Sequence, residues 1–276
     1  MQNKVRLMVI YFIFIIILIY FSLPSLWLFL SVFNVHASPF IEVPRKPTLI
    51  NFIKIFKDYN FSTYLFNSIF VSSITMILVT LVASLAGYSL SRWDSKYKNT
   101  LIYSILLLYA IPISATMIPI YSLMRVLHLR NNYLGLILIY TAGQLPFLIW
   151  IIQQFFDTIP SDIEEAAWID GGSYLRTLFS IVMPIAKPGV AVIAVLSFRA
   201  AWSESVLVIV LIDSQNLQTI PRAFFEAVKT MGGSAIEYQY EIVATMGLFF
   251  LIPLMIIFLI MNKYFVRGGM LGGAIK

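Results

Sequence analysis

Five long intervals of this chain contain no Asp, Glu, Lys or Arg, and this feature restricts the possible folds more than any other. The intervals are residues 7–41, 59–91, 99–124, 131–156 and 242–262. A sixth apolar run, residues 188–212, is interrupted only by Arg199 and Glu204. Each run is long enough for a helix of about 20 residues, which crosses a hydrocarbon core roughly 30 Å thick. The pattern predicts an all-α integral membrane protein with six transmembrane helices.

The overall composition excludes several other classes of protein. Charged residues make up 12% of the chain and hydrophobic residues 60%, whereas a soluble domain carries about twice that charged fraction. Strands of a membrane β-barrel would be short and would alternate polar with apolar residues. The net charge of +6 fits basic residues that flank membrane spans. Nucleic-acid binding would require a solvated basic face, and the sequence shows none. Without cysteine, the chain has neither disulfides nor a thiolate metal site.

We predict one transmembrane domain covering residues 1–276. Its spans are predicted at about residues 7–30, 64–90, 100–123, 133–156, 188–212 and 242–262. The first apolar run is longer than the core of a signal peptide, so we interpret it as an uncleaved first span.

The distribution of Lys and Arg predicts the orientation of these spans. With the N-terminus inside, slightly more basic residues fall in the inside segments than in the outside ones. The densest short basic loop, RWDSKYK at residues 92–98, then lies inside, as the positive-inside rule requires. Both termini are therefore predicted to be cytoplasmic, with residues 157–187 as a long cytoplasmic loop.

That loop contains a polar, helix-patterned segment at residues 160–184, PSDIEEAAWIDGGSYLRTLFSIVMP. Ser161 and Glu164 fit a capping box at the start of a helix, and Gly171 with Gly172 can end the helix in a left-handed conformation. Ser173 can cap a second helix. The apolar residues of that helix follow the spacing of one helical face: Leu175, Leu178, Phe179 and Val182.

The same segment resembles the cytoplasmic loop motif of permease subunits of ABC importers. The motif is E-A-A, two residues, D-G, nine residues, then I-x-L-P. Residues that match it at this spacing are Glu165, Ala166, Ala167, Asp170, Gly171, Ile181 and Pro184. Met183 replaces the usual Leu, an exchange of similar volume.

The resemblance extends over nearly the whole chain. The stretches NS at 67–68, AGYSLSR at 86–92, IPIYSLMRVLHLRNNYLGLIL at 118–138, LPFLIWIIQQFF at 145–156 and VRGGMLGGAIK at 266–276 are similar to the sugar-importer branch, in its second-permease type. That branch usually has Trp-Asn-acidic in the fifth span, and this chain has Trp202, Ser203 and Glu204 instead.

The resemblance implies a type I importer permease in the cytoplasmic membrane of a bacterium or archaeon. Its coupling helix would dock on a cytoplasmic ATPase subunit through the motif residues together with Glu164, and Glu165 would pair with a basic residue there. The implied partners are a second homologous permease, two ATPase subunits, an extracellular solute-binding protein, the lipid bilayer and a sugar or oligosaccharide. ATP and Mg would be bound by the ATPase subunits, with no cofactor in this chain.

Arg199 and Glu204 are the charges inside a predicted span, where ionisable residues are costly and normally face a cavity or a partner. We predict that they line the solute path, with Trp202 and Gln144 as further candidates. The alternatives are structural pairing, contact with the partner permease, an interfacial or packing role for the tryptophan, and an ordinary helix–helix contact for the glutamine. Arg199 and Glu204 are five residues apart, so they share a helical face poorly.

The predicted outside loop, residues 213–240, contains TIPRAFFEAVKTMGG. It resembles the part of sugar-importer permeases that meets the solute-binding protein. The docking candidates are Pro221, Arg222, Phe224, Phe225, Gly232 and Gly233. The alternative interpretation is a re-entrant lid over the outer mouth.

Other functions lack the residues that they would need. The sequence has no G-x-x-x-x-G-K-[ST], H-E-x-x-H or G-x-S-x-G motif, and His36 and His128 are far apart without nearby carboxylates, so we predict neither an enzyme nor a metal site. The remaining alternatives are an ABC importer permease for a non-sugar solute and a secondary transporter, which would need no motif-bearing cytoplasmic loop.

Overall fold

The computed structural model describes residues 2–224 and 239–272, and these residues form helices and connecting loops without β-strands. The helices are α1 (Gln2–Val32), α2 (Ile50–Asp58), α3 (Phe61–Arg92), α4 (Lys98–Leu108), α5 (Ile113–Val126), α6 (Tyr133–Asp157), α7 (Asp162–Ile169), α8 (Tyr174–Thr177), α9 (Met183–Ile185), α10 (Lys187–Ser203), α11 (Val206–Leu211) and α12 (Tyr240–Gly272). A π-helical turn over Leu178–Val182 joins α8 to α9, Gln215–Leu217 forms a 3-10 turn, and residues 220–224 are helical.

Four helices in the described part of the chain are long and apolar enough to cross a membrane as single segments. They contain Arg6–Val32, Phe61–Arg92, Tyr133–Asp157 and Tyr240–Ile260. Two further candidates are helix pairs with a sharp bend, so the number of spans is six if each bent pair counts as one. The sequence prediction of an all-α membrane fold is confirmed.

The third predicted span is one of the bent pairs. Its two helices, α4 and α5, make an angle of 84°. Pro112 precedes α5 with extended backbone, at φ −62° and ψ 136°. Because proline has no N–H and excludes helical backbone from the residue before it, the first helix cannot continue through this point.

The fifth predicted span, residues 188–212, is also interrupted. Helix α10 ends at Ser203, Glu204 is extended with ψ 124°, and α11 follows from Val206. Before α10, the segment Tyr174–Ile185 is bent by 87° from it. The apolar run in the sequence predicts one uninterrupted span here. Composition alone gives no sign of the break between α10 and α11, which depends on the contacts of a single side chain.

One compact unit is formed by the described parts of Met1–Ser62 and Ala223–Pro253. Its aromatic core centres on Phe249, whose ring lies 5.3 Å from Phe61 and 5.4 Å from Phe56, measured between ring centroids. The buried Asn51 Nδ2 donates to the carbonyl oxygens of Val32 and Asn34, both at 2.8 Å. One amide thereby satisfies two backbone acceptors at the end of α1.

The second unit comprises the described parts of Thr63–Arg222 and Leu254–Lys276. Its first core cluster includes Val79 on α3, Ile152 on α6 and Ile193 on α10, all fully buried. A second cluster contains Val71, Leu136 and Leu207 among its residues, and so joins α3, α6 and α11. In both clusters α3 and α6 pack together.

Gly87 permits the close approach of these two helices. A Cβ atom at this position would lie 3.2 Å from both the Gln153 nitrogen and the Ile149 oxygen of α6. Small residues commonly allow such backbone contact between membrane helices.

Replacing Asn51 with Ala should destabilise the first unit. The substitution leaves two carbonyl oxygens without their donor, which costs about 1–3 kcal/mol for a buried group. We expect a lower thermal unfolding midpoint for the purified protein in detergent. Asn99→Ala, at an exposed position of α4, is the control, and equal midpoints for the two variants would contradict the assignment.

Candidate functional site

The polar segment predicted to be cytoplasmic begins with α7, whose first turn contains Asp162, Glu164 and Glu165. Negative side chains are favourable there because the N-terminal end of a helix carries a partial positive charge. The predicted capping box is wrong, however. Ser161 has helical backbone, at φ −64° and ψ −28°, and its side chain makes no cap hydrogen bond. The Glu164 side chain is engaged elsewhere.

Glu164 is fully buried and contacts the end of α3. Its Oε1 accepts from Arg92 Nε at 2.8 Å and from Arg92 Nη2 at 2.5 Å. Its Oε2 accepts from the hydroxyl of Tyr88 at 2.6 Å. We call these three residues the carboxylate clamp. The placement contradicts the prediction that Glu164 contacts a partner subunit, because its side chain lies inside this chain.

A second group of polar contacts lies beside the carboxylate clamp. Asp157, the last residue of α6, accepts from Ser91 Oγ at 2.7 Å and from Lys98 Nζ at 3.4 Å. The amide of Gln153 also donates to Asp157. The guanidinium of Arg92 donates to Ser91 Oγ at 3.1 Å. The C-terminal ends of α3 and α6 are therefore joined to each other as well as to α7.

The opposite side of α7 is open to solvent. Glu165 follows Glu164 directly, but successive residues of an α-helix are about 100° apart, so its side chain is exposed. Ala166 and Asp170 are also exposed, and Ala167 is half-buried. Ile169 is 86% exposed, which is unusual for an isoleucine. Acidic and apolar groups thus share one accessible surface.

The turn after α7 has the predicted geometry. Gly171 has φ +84°, the left-handed region in which glycine is favoured. A Cβ atom at Gly172 would lie 2.7 Å from the Ala167 oxygen, so the backbone packs closely here. The Oγ of Ser173 accepts from the Arg176 nitrogen at 3.4 Å and caps α8. The rings of Trp168 and Tyr174, on either side of the turn, lie 4.8 Å apart.

The second helix buries only part of its predicted apolar face. Leu178 and Val182 are buried, whereas Leu175 and Phe179 are 61% and 45% exposed. The π-helical turn over Leu178–Val182 has i→i+5 hydrogen bonding, so the spacing of an α-helix does not describe it. Of the remaining motif residues, Ile181 is half-buried and Pro184 is exposed.

The four predicted path residues have different surroundings. Arg199 is exposed on α10, and Gln144 on α6 is half-buried, with an Oε1 that has no hydrogen-bond partner among the described residues. Trp202 is fully buried and stacks on Phe198 at 5.6 Å. This burial favours the alternative of a packing role for the tryptophan over contact with a solute.

Glu204 uses its carboxylate to begin a helix. Its Oε1 accepts from the Val206 nitrogen at 3.0 Å, and its Oε2 accepts from the Leu207 nitrogen at 2.9 Å and the Tyr140 hydroxyl at 3.1 Å. The carboxylate therefore satisfies free N–H groups at the start of α11, as an N-cap residue does. This contact explains the break in the fifth predicted span.

Residues 213–222, which we call the outer stem, form the first part of the predicted outside loop. Asn67 Nδ2 donates to the carbonyl oxygens of Asn216 and Gln218, both at 2.8 Å. Ser68 Oγ accepts from the Ile220 nitrogen at 2.8 Å. In the sequence, the Asn-Ser pair contributes only to the family resemblance, and nothing in its spacing indicates these partners.

The docking candidates are only partly described. Pro221 is buried, and Arg222 is half-buried and donates from Nη1 to the Ile209 oxygen at 3.0 Å. Phe224 is half-buried. The candidates Phe225, Gly232 and Gly233 lie outside the described residues. Among the residues that the structure describes, no group of three His, Asp or Glu side chains could hold a metal ion.

Comparison with known proteins gives consistent matches along the chain. The sequence profile described as "Binding-protein-dependent transport system inner membrane component" matches residues 80–268. The sulfoquinovosyl glycerol transport system permease protein SmoH of Agrobacterium fabrum is 30% identical over 254 residues, covering 91% of this chain and 87% of the relative. The trehalose/maltose transport system permease protein MalG of Thermococcus litoralis is 30% identical over 261 residues, covering 92% and 91%.

A solved structure has the same fold. A chain in the crystal structure of a bacterial ABC transporter involved in the import of the acidic polysaccharide alginate superposes with a TM-score of 0.84 at 20% identity. The match covers 96% of this chain and 98% of the other. The predicted type I importer permease fold is thereby confirmed.

Replacing Glu204 with Ala should destabilise the junction of α10 and α11. The variant leaves two backbone N–H groups and the Tyr140 hydroxyl without their acceptor, and loss of an N-cap alone costs about 0.5–2 kcal/mol. Thermal unfolding in detergent should show a lower midpoint for Glu204→Ala and a smaller decrease for Glu204→Gln, which keeps one oxygen acceptor. A Glu204→Ala midpoint no lower than that of Glu42→Ala, an exposed control, would show that the cap is unimportant.

Proposed function

Because this chain belongs to the family of inner-membrane components of binding-protein-dependent transport systems, we propose that it is a permease subunit of an ATP-driven importer for a sugar or oligosaccharide. The reported relatives are named for sulfoquinovosyl glycerol and for trehalose and maltose. The solved neighbour imports a polysaccharide. All four of these solutes are carbohydrates or glycosides, and this agreement supports the solute class for the present chain.

The surface of α7 is the observation that carries the coupling proposal. The exposed Glu165 has no ion-pair partner in the described part of the chain, and Ile169 is exposed beside it. An exposed carboxylate next to exposed apolar side chains suits a docking surface, in which a charged contact sets orientation and apolar burial supplies affinity. The occupant is an ATPase subunit with a basic residue opposite Glu165, and it binds the ATP and Mg.

The orientation follows from this assignment. If α7 meets a cytoplasmic ATPase, the loop that contains it is cytoplasmic, and so are both termini. Residues 31–61 and the outer stem then lie on the external side. The external solute-binding protein docks near the outer stem, through the half-buried Arg222 and the predicted candidates that follow it in sequence, whereas the buried Pro221 belongs to the interior of the stem.

The importer contains two permease subunits and two ATPase subunits. The exposed apolar side chains along α1, such as Phe12, Ile16 and Phe21, meet lipid or the second permease. Closure of the ATPase subunits on ATP moves α7, and the spans attached to it shift between inward-open and outward-open arrangements. This chain supplies the pathway and the docking surface, and hydrolysis takes place in its partners.

Arg199 is the residue that we assign to the solute path. Its exposed guanidinium lies on a membrane helix, where a charged group is stable only beside a cavity or a partner. Five N–H donors make it suited to sugar hydroxyls. The unpaired oxygen of Gln144 offers an acceptor. The carboxylate of Glu204, by contrast, is already occupied by the start of α11.

Reversing the charge at Glu165 tests the coupling proposal. Glu165→Lys should weaken docking of the ATPase subunit by about tenfold or more, because it replaces a charge-assisted contact with repulsion. The measurement is ATP-dependent uptake of labelled mono- and disaccharides into vesicles that contain the whole importer and its binding protein, together with copurification of the ATPase. Asp94→Lys, at an exposed acid of the neighbouring loop, is the matched control. Normal uptake by normally inserted Glu165→Lys would refute the assignment.

Removing the guanidinium of Arg199 tests the path. Arg199→Ala should lower the uptake rate several-fold and leave ATPase copurification unchanged, because the residue is on α10 and outside α7. Arg125→Ala, at an exposed arginine of α5, serves as the control. An uptake rate equal to that of the control would assign Arg199 a purely structural role.

A further inference from the structure

We propose that Tyr88 and Arg92 are positioning residues that make α3 a rigid connector between the coupling helix α7 and the outer stem. The inference rests on the proposed function, because it concerns how movement imposed on α7 by an ATPase reaches the external side. Tyr88 and Arg92 lie outside the docking motif and are joined to it through the carboxylate clamp.

The attachment of α7 to α3 is the ion pair between Glu164 and Arg92, in which both oxygens of the buried carboxylate are engaged. Both oxygens of Glu164 are occupied, one by two nitrogens of Arg92 and the other by the Tyr88 hydroxyl. Arg92 Nη2 also donates to the Ile159 oxygen at 3.0 Å, in the connection between α6 and α7. Removal of one partner would leave an uncompensated buried charge, so α7 cannot separate from α3 without a large penalty.

The comparison with other ion pairs distinguishes this attachment. Among the described residues, the other two salt bridges are Lys98 with Asp157 and Arg130 with Asp213, and both are partly exposed to water. Exposed ion pairs of that kind contribute little to stability. Of these three ion pairs in the described ranges, only the carboxylate clamp combines full burial of its acid with hydrogen bonds to both carboxylate oxygens. The carboxylate clamp is therefore suited to keep α7 attached to α3 when a partner displaces α7.

The outer attachment lies near the other end of the same helix. Asn67 and Ser68 hold three backbone groups of the outer stem, those of residues 216, 218 and 220. From Asn67 to Arg92 the uninterrupted helix extends for about 37 Å. One element thus contacts α7 at one end and the outer stem at the other.

Helix α6 strengthens this connection along its length. The Tyr133 hydroxyl, at the start of α6, donates to Asn67 Oδ1 at 2.6 Å. Asp157, at its end, accepts from Ser91 at 2.7 Å. The two helices are hydrogen-bonded near both ends and pack closely at Gly87 in between. A displacement of α7 is consequently passed to the outer stem by a paired, tightly packed element.

The test uses the assembled importer with its partner permease, ATPase subunits and binding protein. We define the stimulation ratio as the ATPase rate with solute-loaded binding protein divided by the rate without it. Arg92→Lys, which cannot reproduce the two-nitrogen contact, should lower this ratio by about fivefold or more. Tyr88→Phe, which removes one hydroxyl, should lower it less. Both variants should retain the basal ATPase rate and copurify with the ATPase subunits.

The matched control is Ser89→Ala on the same helix. Ser89 is exposed, and among the described residues its Oγ donates only to the Leu85 oxygen, one turn earlier in α3. A merely structural role would lower the unfolding midpoint without changing the ratio, so the ratio is compared among variants with midpoints near that of the control. If Arg92→Lys fails to assemble, Tyr88→Phe decides the question alone. Ratios equal to that of Ser89→Ala would overturn the proposal.

A double variant tests the single connector. Ser68→Ala removes the outer acceptor for Ile220, and its effect on the ratio should not multiply with that of Tyr88→Phe, because both act on one mechanical element. Losses that multiply would indicate independent routes and overturn the proposal. A wild-type importer whose ATPase ignores the binding protein, or that shows no ATP-dependent uptake, would instead overturn the proposed function.

Discussion

The buried carboxylate of Glu164 is the constraint on which the arrangement of the polar segment around α7 depends. An isolated charge in such a position would be strongly unfavourable, so the chain must bring a cation and donors to it. Arg92 and Tyr88 meet that requirement from the end of α3. This ion pair fixes the position of α7. It also directs the Glu164 side chain inward, so that the neighbouring Glu165 side chain points outward.

The same rule operates at other buried polar positions. Asn51 and Asn67 each donate to two carbonyl oxygens, in separate units of the chain. Glu204 accepts from the N–H groups that begin α11. In each case a side chain satisfies backbone groups where a helical segment ends or begins. These contacts supply partners for backbone groups at the breaks and bends of an apolar membrane protein.

A consequence for function is the division of roles between neighbouring residues. Glu165 is open to a partner, whereas Glu164 connects α7 to the membrane helices. The proposed docking surface can transmit movement only if it is fixed to the helices that move. Adjacent positions of α7 provide an exposed carboxylate and a buried attachment to those helices. Glu204 and Trp202, predicted from sequence to line the solute path, serve the internal structure instead.

The sequence by itself determined the membrane class, the helical fold, the position of the polar helical segment and the left-handed turn at Gly171. These features depend on composition and on spacing between near neighbours, which a linear pattern records. The tertiary structure alone decided which glutamate is buried, why Ser161 makes no cap, and where α10 breaks. The partners responsible lie 72 residues away for Arg92 and Glu164 and 64 for Tyr140 and Glu204. Local propensity cannot anticipate them, because a buried charge is satisfied by whichever donors the packing of distant helices brings within reach.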